Sequence, residues 1–242
     1  MRRSRVSTHR LQLALMLTLT FSTGVIDAVG YLGLDRVFTG NMTGNVVLLG
    51  MAVAGGNDLP VLRPALALVF FMVGAALAGR LLRRGPEGWS GRTSLALLLV
   101  ALGTAALAVV VGLVDVNNDE VLGSVVTSGL ATVMGVQAAT AKRLKVAEIT
   151  TVVVTSTITG LASDSWLAGG KGKFWVRRAL AILLIGLGAV AGGFALLIDL
   201  WVGIAISALL ASGVTLVGHL RYRHDRLLDV NPADREPAES RS

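Results

Sequence analysis

The sequence predicts an all-α polytopic membrane protein with six transmembrane helices and two short helical segments that enter the bilayer without crossing it. Three observations carry this. Hydrophobic residues fill 53% and charged residues 15% of the 242 positions, and mean hydropathy is +0.70, an apolar excess well above that of soluble domains. The apolar residues gather in windows of about 20 residues, the length a helix needs to cross a hydrocarbon core of about 30 Å. The 22 Lys and Arg cluster in a few of the connecting loops, as they do where loops face the cytoplasm.

Taken in order, the first window is Leu11 to Leu34, in which only Asp27 is charged. It follows the basic start "MRRSRVSTHR" and so imitates a secretory signal. The run is long for such a signal and no small-x-small site closes it, so it is expected to remain as a span. Next comes "VFTGNMTGNVVLLG", Val37 to Gly50, a polar mouth opening onto an apolar piece, Val46 to Gly56, that is too short to span. Pro64 to Gly79, Thr93 to Val114 and Val121 to Ala141 are spans two to four. A second short piece, "ITTVVVTSTITGLA" from Ile149 to Ala162, precedes the last two spans, Ala179 to Ile198 and Leu200 to Leu220.

The charges decide whether the short pieces cross. If both did, with the N-terminus inside, the cations at Arg80, Arg83, Arg84 and Arg92, and those at Lys142, Arg143 and Lys145, would face outward, and the acidic loop "DVNNDE" would face inward. That breaks the positive-inside rule in three loops. If each short piece returns to the side it came from, only Arg36 and Arg63 of the 22 cations fall outside and "DVNNDE" faces out. Both termini are then cytoplasmic.

A weak internal repeat agrees. A shift of about 112 residues lays Thr43, Gly44 and Asn45 on Thr155, Ser156 and Thr157, and lays the first three spans on the last three. The pseudo-repeats, about 11–114 and 121–220, make one membrane domain over 1–222. Three spans per half means that the halves insert in opposite directions, the inverted arrangement of many transporters, whose sites lie where broken helices meet at mid-depth. An Ala/Gly/Val/Leu-rich composition can also manufacture such similarity. The charged, Pro-containing residues 223–242 are expected to form a disordered cytoplasmic tail.

The polar mouth supplies the chemistry. Non-helical backbone survives at membrane depth only when buried in protein or lining a wet cavity. Gly40 and Gly44 permit close approach, and Asn41, Thr43 and Asn45 offer donors and acceptors. A helix starting near Val46 would aim its free N–H groups at whatever fills the break. The alternatives are a GxxxG packing face at Gly40 and Gly44 and a simple N-cap at Asn45. In the second piece Thr151, Thr155 and Thr159 share a helix face, with Thr157 beside them. This stripe either bonds back to its own helix or lines a polar path opposite the first motif. Asp27 lies deep in a span, where a carboxylate is costly unless it pairs or faces a cavity, and it is the candidate for coupling a proton or coordinating a cation. Its alternative is solvation at the outer interface or pairing with Arg36. Gln137 is a neutral polar partner in the corresponding part of the second half.

Other chemistries lack their residues. The chain has no cysteine, and its three histidines, His9, His219 and His224, sit at membrane edges or in the tail. That pattern supports no metal cluster and no Ser-His pair at mid-depth. "GLGAVAGG" (Gly186 to Gly193) has no preceding strand and reads as a packing face through Gly188 and Gly192, and "GGKGKF" lacks Walker spacing. No cofactor is expected, and a single deep carboxylate cannot supply both acid and base, so the chain is not expected to be an enzyme. The net charge of +7 is explained by loop cations without nucleic acid. The expected partners are the lipid bilayer and a small polar solute or ion, and a homo-oligomer is compatible with the Gly-rich faces.

The stretches "GVIDAVGYLGLDRVFTGNMTGN" and "MGVQAATAKRLKVAEITTVVVTSTITG" resemble the YoaK-like family, bacterial membrane proteins named as a domain of unknown function, over roughly Thr20 to Arg221. The resemblance implies a six-span inner-membrane protein and brings no substrate, cofactor or catalytic residue. Thr155-Ser156 stands where the family pattern has Thr-Gly. The expected function is therefore a small-solute or ion transporter or channel, with its site formed by Asp27, Asn41, Thr43, Gly44, Asn45, Gln137, Thr151, Thr155 and Thr157. The other reading is a membrane scaffold or assembly protein.

Overall fold

The computed structural model describes residues 2–56, 58–86, 88–116, 119–144, 154–170, 172 and 174–230. Among them are eight α-helices and no strand: α1 Arg2–Gly33, α2 Met42–Val53, α3 Leu62–Leu82, α4 Gly91–Leu113, α5 Glu120–Leu144, α6 Val154–Ser163, α7 Trp175–Leu196 and α8 Leu200–Val230. Six of these are long and apolar enough to cross a membrane, α1 through its portion Arg10–Gly33. With 12 residues in α2 and 10 described residues in α6, these reach only about 18 and 15 Å at 1.5 Å per residue, short of a core of about 30 Å.

Sequence chemistry sets several helix starts. Asn41 caps α2, Ser90 caps α4 by accepting from the Thr93 N–H at 3.2 Å, and Asp119 accepts from the Val121 and Leu122 N–H groups that open α5. Several hydroxyls inside the spans are satisfied by the preceding turn: Thr20 donates to the Met16 carbonyl, Thr104 to Val100 and Thr140 to Val136. This is how a helix carries Thr at depth without an unpaired polar group. Leu102, Leu187 and Phe194 point outward and are exposed, the arrangement of side chains facing lipid. The interior is built on Ile26, Val29, Leu130 and Ile204.

Close contacts fix the helix directions. The helices α1 and α7 run parallel, since Gly188 lies against Phe21, Gly192 against Val25 and Gly33 against Leu196. The helices α3 and α5 are parallel too: Arg63 lies on Gly123 and Gly74 on Thr132, with Leu82 near Ala139. In contrast α4 is antiparallel to α5, with Gly103 on Val133 and Gly129 on Leu107, and antiparallel to α8, with Gly112 on Trp201 and Trp89 on Gly218. The helices α1 and α8 are antiparallel, joined by Ser207 donating to the Ser22 carbonyl at 3.2 Å. It follows that α3 starts on the face where α1 ends, and α7 starts on the face where α5 ends. Both α2 and α6 therefore dip and return, from opposite faces, as the loop charges required.

The last helix differs from the sequence reading. Residues 223–230, assigned above to a disordered tail, continue α8. Arg221 pairs with Asp225 at 3.2 Å one turn on, and the Arg226 guanidinium lies over the Tyr222 ring. Such i,i+4 contacts each stabilise a solvated helix by about 0.2–0.5 kcal/mol. The remaining tail residues, 231–242, lie outside the described residues.

Candidate functional site

The site begins where α1 ends. The chain reverses through Asp35 and Arg36, both in the left-handed region with φ of 61° and 55°. Leu34 and Val37 are fully buried and pin the turn. The strand-like descent that follows runs back down α1, with the Val37 carbonyl against Gly30 and Gly40 lodged beside Thr23, Asp27 and Met134. Any side chain at Gly40 would crowd these three groups, which is why glycine stands there. Thr23 and Asp27 lie ten and six residues before the end of α1 at Gly33, or about 15 and 9 Å below it. The start of α2 is thus held well inside the hydrocarbon depth.

Three side chains hold this descent. The Asp27 Oδ1 accepts from the N–H groups of Gly40 at 2.7 Å and Asn41 at 3.3 Å. The Asn41 Oδ1 accepts from the Gly44 N–H at 3.2 Å, capping α2. Asn45 is completely buried and binds both backbone groups of Phe38: its Oδ1 accepts from the N–H at 2.9 Å and its Nδ2 donates to the carbonyl at 2.6 Å. An asparagine amide carries one acceptor and one donor group on the same plane, so it can replace a missing strand neighbour for a single residue. These bonds satisfy backbone that would otherwise be unpaired in an apolar surrounding.

On this frame opens a cavity of about 430 Å³. Its walls come from Asp27 and Tyr31 on α1, Phe38, Gly40 and Asn41 on the descent, Thr43, Gly44, Val47, Leu48 and Met51 on α2, Val154 and Thr155 on α6, and Ile185 on α7. Thr43 lies in the first turn of α2, and Thr155 lies on α6. The N-terminus of α2 and the Val154–Thr155 part of α6 therefore meet at one cavity, and Asp27 is the only carboxyl group among its described walls. The far end of α6 is tied to α7 by Arg178, which donates to the Asp164 carboxylate at 2.7 Å and to the Gly160 carbonyl.

Of the residues singled out by sequence, Asp27, Asn41, Thr43, Gly44 and Thr155 come together at the cavity. Asn45 turns inward as the clamp on Phe38. Gln137, also buried, donates to the Thr23 hydroxyl at 3.1 Å beneath the site and supports α1 without reaching the cavity. Thr157 is buried outside the cavity wall, and Thr159 bonds back to the Thr155 carbonyl at 2.9 Å. Thr151 lies outside the described residues. Asp27 does not pair with Arg36, whose guanidinium reaches the Asp58 carbonyl. Sequence reasoning missed Tyr31, Phe38, Met51 and Ile185. Tyr31 had a signal, its i+4 spacing from Asp27 on one helix face; Ile185 had none.

A family model described as "Protein of unknown function (DUF1275)" matches residues 15–217. The UPF0700 transmembrane protein YoaK of Bacillus subtilis (strain 168) is 33% identical over 187 residues, covering 73% of this chain and 80% of that protein. No solved structure matches.

Proposed function

We propose that this chain, which belongs to the DUF1275 family and is a multi-pass membrane protein, is a transporter or channel for a small polar solute or ion and not an enzyme. One observation carries the reading: two short helices that dip from opposite faces, α2 by its N-terminus and α6 by Val154 and Thr155, meet at a cavity holding an intramembrane carboxyl group. Broken helices meeting at depth are how membrane proteins place a polar binding site inside an apolar slab. The volume falls within the range of about 300–1,000 Å³ usual for small-molecule sites.

Two patterns support treating the halves as an inverted repeat. Gly24 lies against Ile185 and Ala189, and Gly135 against Phe71 and Ala75; Gly188 meets the Phe21 carbonyl, and Gly74 that of Thr132. The α1·α7 crossing and the α3·α5 crossing thus repeat each other. The Gly188 and Gly192 face is filled by α1 and so is not open to a partner helix.

By the distribution of loop cations we place the protein in the bacterial inner membrane with both termini cytoplasmic. Single cysteines replacing Glu120 or Asp199 should react with an impermeant maleimide in intact cells. Those replacing Arg84 or Ala168 should react only after permeabilisation. External labelling of Ala168→Cys would reverse the direction assigned to α6.

Thermal shift on purified protein against a panel of small polar solutes and ions tests the function itself. A bound ligand raises the Tm by mass action, since it binds only the folded chain. Thr155→Val removes one hydroxyl from the wall at nearly constant volume, so the ligand-free Tm should hardly move while the ligand-induced shift is lost. An unchanged ligand shift in Thr155→Val would remove α6 from the site.

A further inference from the structure

Resting on the transport reading, we propose that the solute is a small organic cation, a primary or quaternary ammonium, seated between Asp27 and the Tyr31–Phe38 ring pair. Tyr31 follows Asp27 by four residues on α1 and so lies on the same helix face. Its ring stacks on Phe38 with centroids 4.8 Å apart and planes 25° from parallel. All three residues line the cavity. A carboxyl group beside aromatic faces is the donor set that recognises ammonium: the ring quadrupole attracts a positive charge, and the carboxylate neutralises it.

Charge in the cavity argues the same way. Asp27 is the only carboxyl group on its described walls, and no Lys, Arg or His is among them. The N-terminus of α2, which would favour an anion, is partly occupied. The Gly44 N–H is taken by the Asn41 side chain, and the N–H groups of Gly40 and Asn41 just ahead of the helix are taken by the Asp27 Oδ1. Asp27 itself lies on the cavity wall, where its carboxyl group meets the ligand. A divalent metal fits poorly, since hard cations take six or more oxygen ligands, several of them charged. Among the described residues no cluster of three His, Cys, Asp or Glu exists. The apolar remainder of the wall, Val47, Met51 and Ile185, suits the methyl or methylene groups of an organic ammonium.

The test compares choline with 3,3-dimethylbutan-1-ol, which has the same shape without the charge, and with acetate, by thermal shift on the purified full chain. Choline should stabilise saturably, and the neutral analogue should need at least about tenfold more for half-maximal effect. Asp27→Asn should weaken choline binding at least about tenfold with little change in the ligand-free Tm, because the amide oxygen still accepts from Gly40 and Asn41. Tyr31→Leu should weaken choline binding and Tyr31→Phe should retain it. Equal stabilisation by the neutral alcohol, or stabilisation by acetate instead of choline, would overturn the inference. Absence of any ammonium response alongside a saturable, Thr155-dependent response to a neutral solute would overturn it while the polar site stands. Absence of both responses would overturn the transport reading as well.

Discussion

Gly188→Val should prevent recovery of a monodisperse, detergent-stable protein, whereas Gly186→Val, two residues away on the same helix, should leave it nearly unchanged. A Cβ at Gly188 would collide with the Phe21 carbonyl oxygen and approach the Gly24 backbone, while one at Gly186 meets nothing. The collision is with backbone, which cannot rotate away as a side chain can. Relief requires α1 and α7 to separate along their whole parallel crossing. Overpacking in a yielding core costs about 1–3 kcal/mol, and a rigid crossing should lie at or beyond the top of that range. Gly74→Val should be as severe, because its Cβ would meet the Thr132 carbonyl across the α3·α5 crossing. Size-exclusion profiles and thermal melts of the three variants check this. A stable Gly188→Val would mean that the α1·α7 contact is looser than described.

Asn45→Leu should be the most damaging change in the polar motif, although it keeps the branched shape of the side chain and touches no cavity wall. It leaves both the N–H and the carbonyl of Phe38 without their partner at a buried position. Each unsatisfied buried group costs about 1–3 kcal/mol, so the loss should be about 2–6 kcal/mol. Asn41→Ala deletes only a cap, for about 1 kcal/mol. Thermal melts of ligand-free protein should therefore rank Asn45→Leu far below Asn41→Ala, with Thr155→Val close to the parent. If Asn45→Leu melted with the parent but lost ligand response, Asn45 would be a binding group and the clamp would be incidental.

The ranking shows where the sequence is legible and where it is not. Hydropathy reveals the six spans because a membrane imposes one length on every crossing helix. Loop cations reveal the two re-entrant pieces because Lys and Arg are counted by side. The same signals say nothing about which way a polar side chain turns. Asn41, Thr43, Gly44 and Asn45 occupy successive directions around one helical turn, and only the descent of the chain along α1 decides that Thr43 faces the cavity while Asn45 faces Phe38. Gln137 was visible as an intramembrane amide, but its partner Thr23 lies on another helix, and pairing across helices leaves no local pattern. Tyr31 could be read from its spacing to Asp27. Phe38 could not, because its place depends on the left-handed turn at Asp35 and Arg36. The tail was misjudged over 223–230 because composition there is that of a disordered segment, while the Arg221–Asp225 contact and the length of α8 carry the helix onward.

The central claim is that α2 and α6 bring a water-accessible polar cavity to mid-depth, and the absence of native cysteine allows it to be tested without knowing the solute. Single cysteines at Thr43, Thr155 and the lipid-facing Leu102 are exposed to a small, water-soluble methanethiosulfonate in membranes, and the reaction rates are compared. Such reagents require a thiolate, which forms in water and not in hydrocarbon. Thr43→Cys and Thr155→Cys should react readily and Leu102→Cys hardly at all. If all three are equally unreactive while Glu120→Cys reacts, the two short helices meet in a dry contact, and no polar site exists between them.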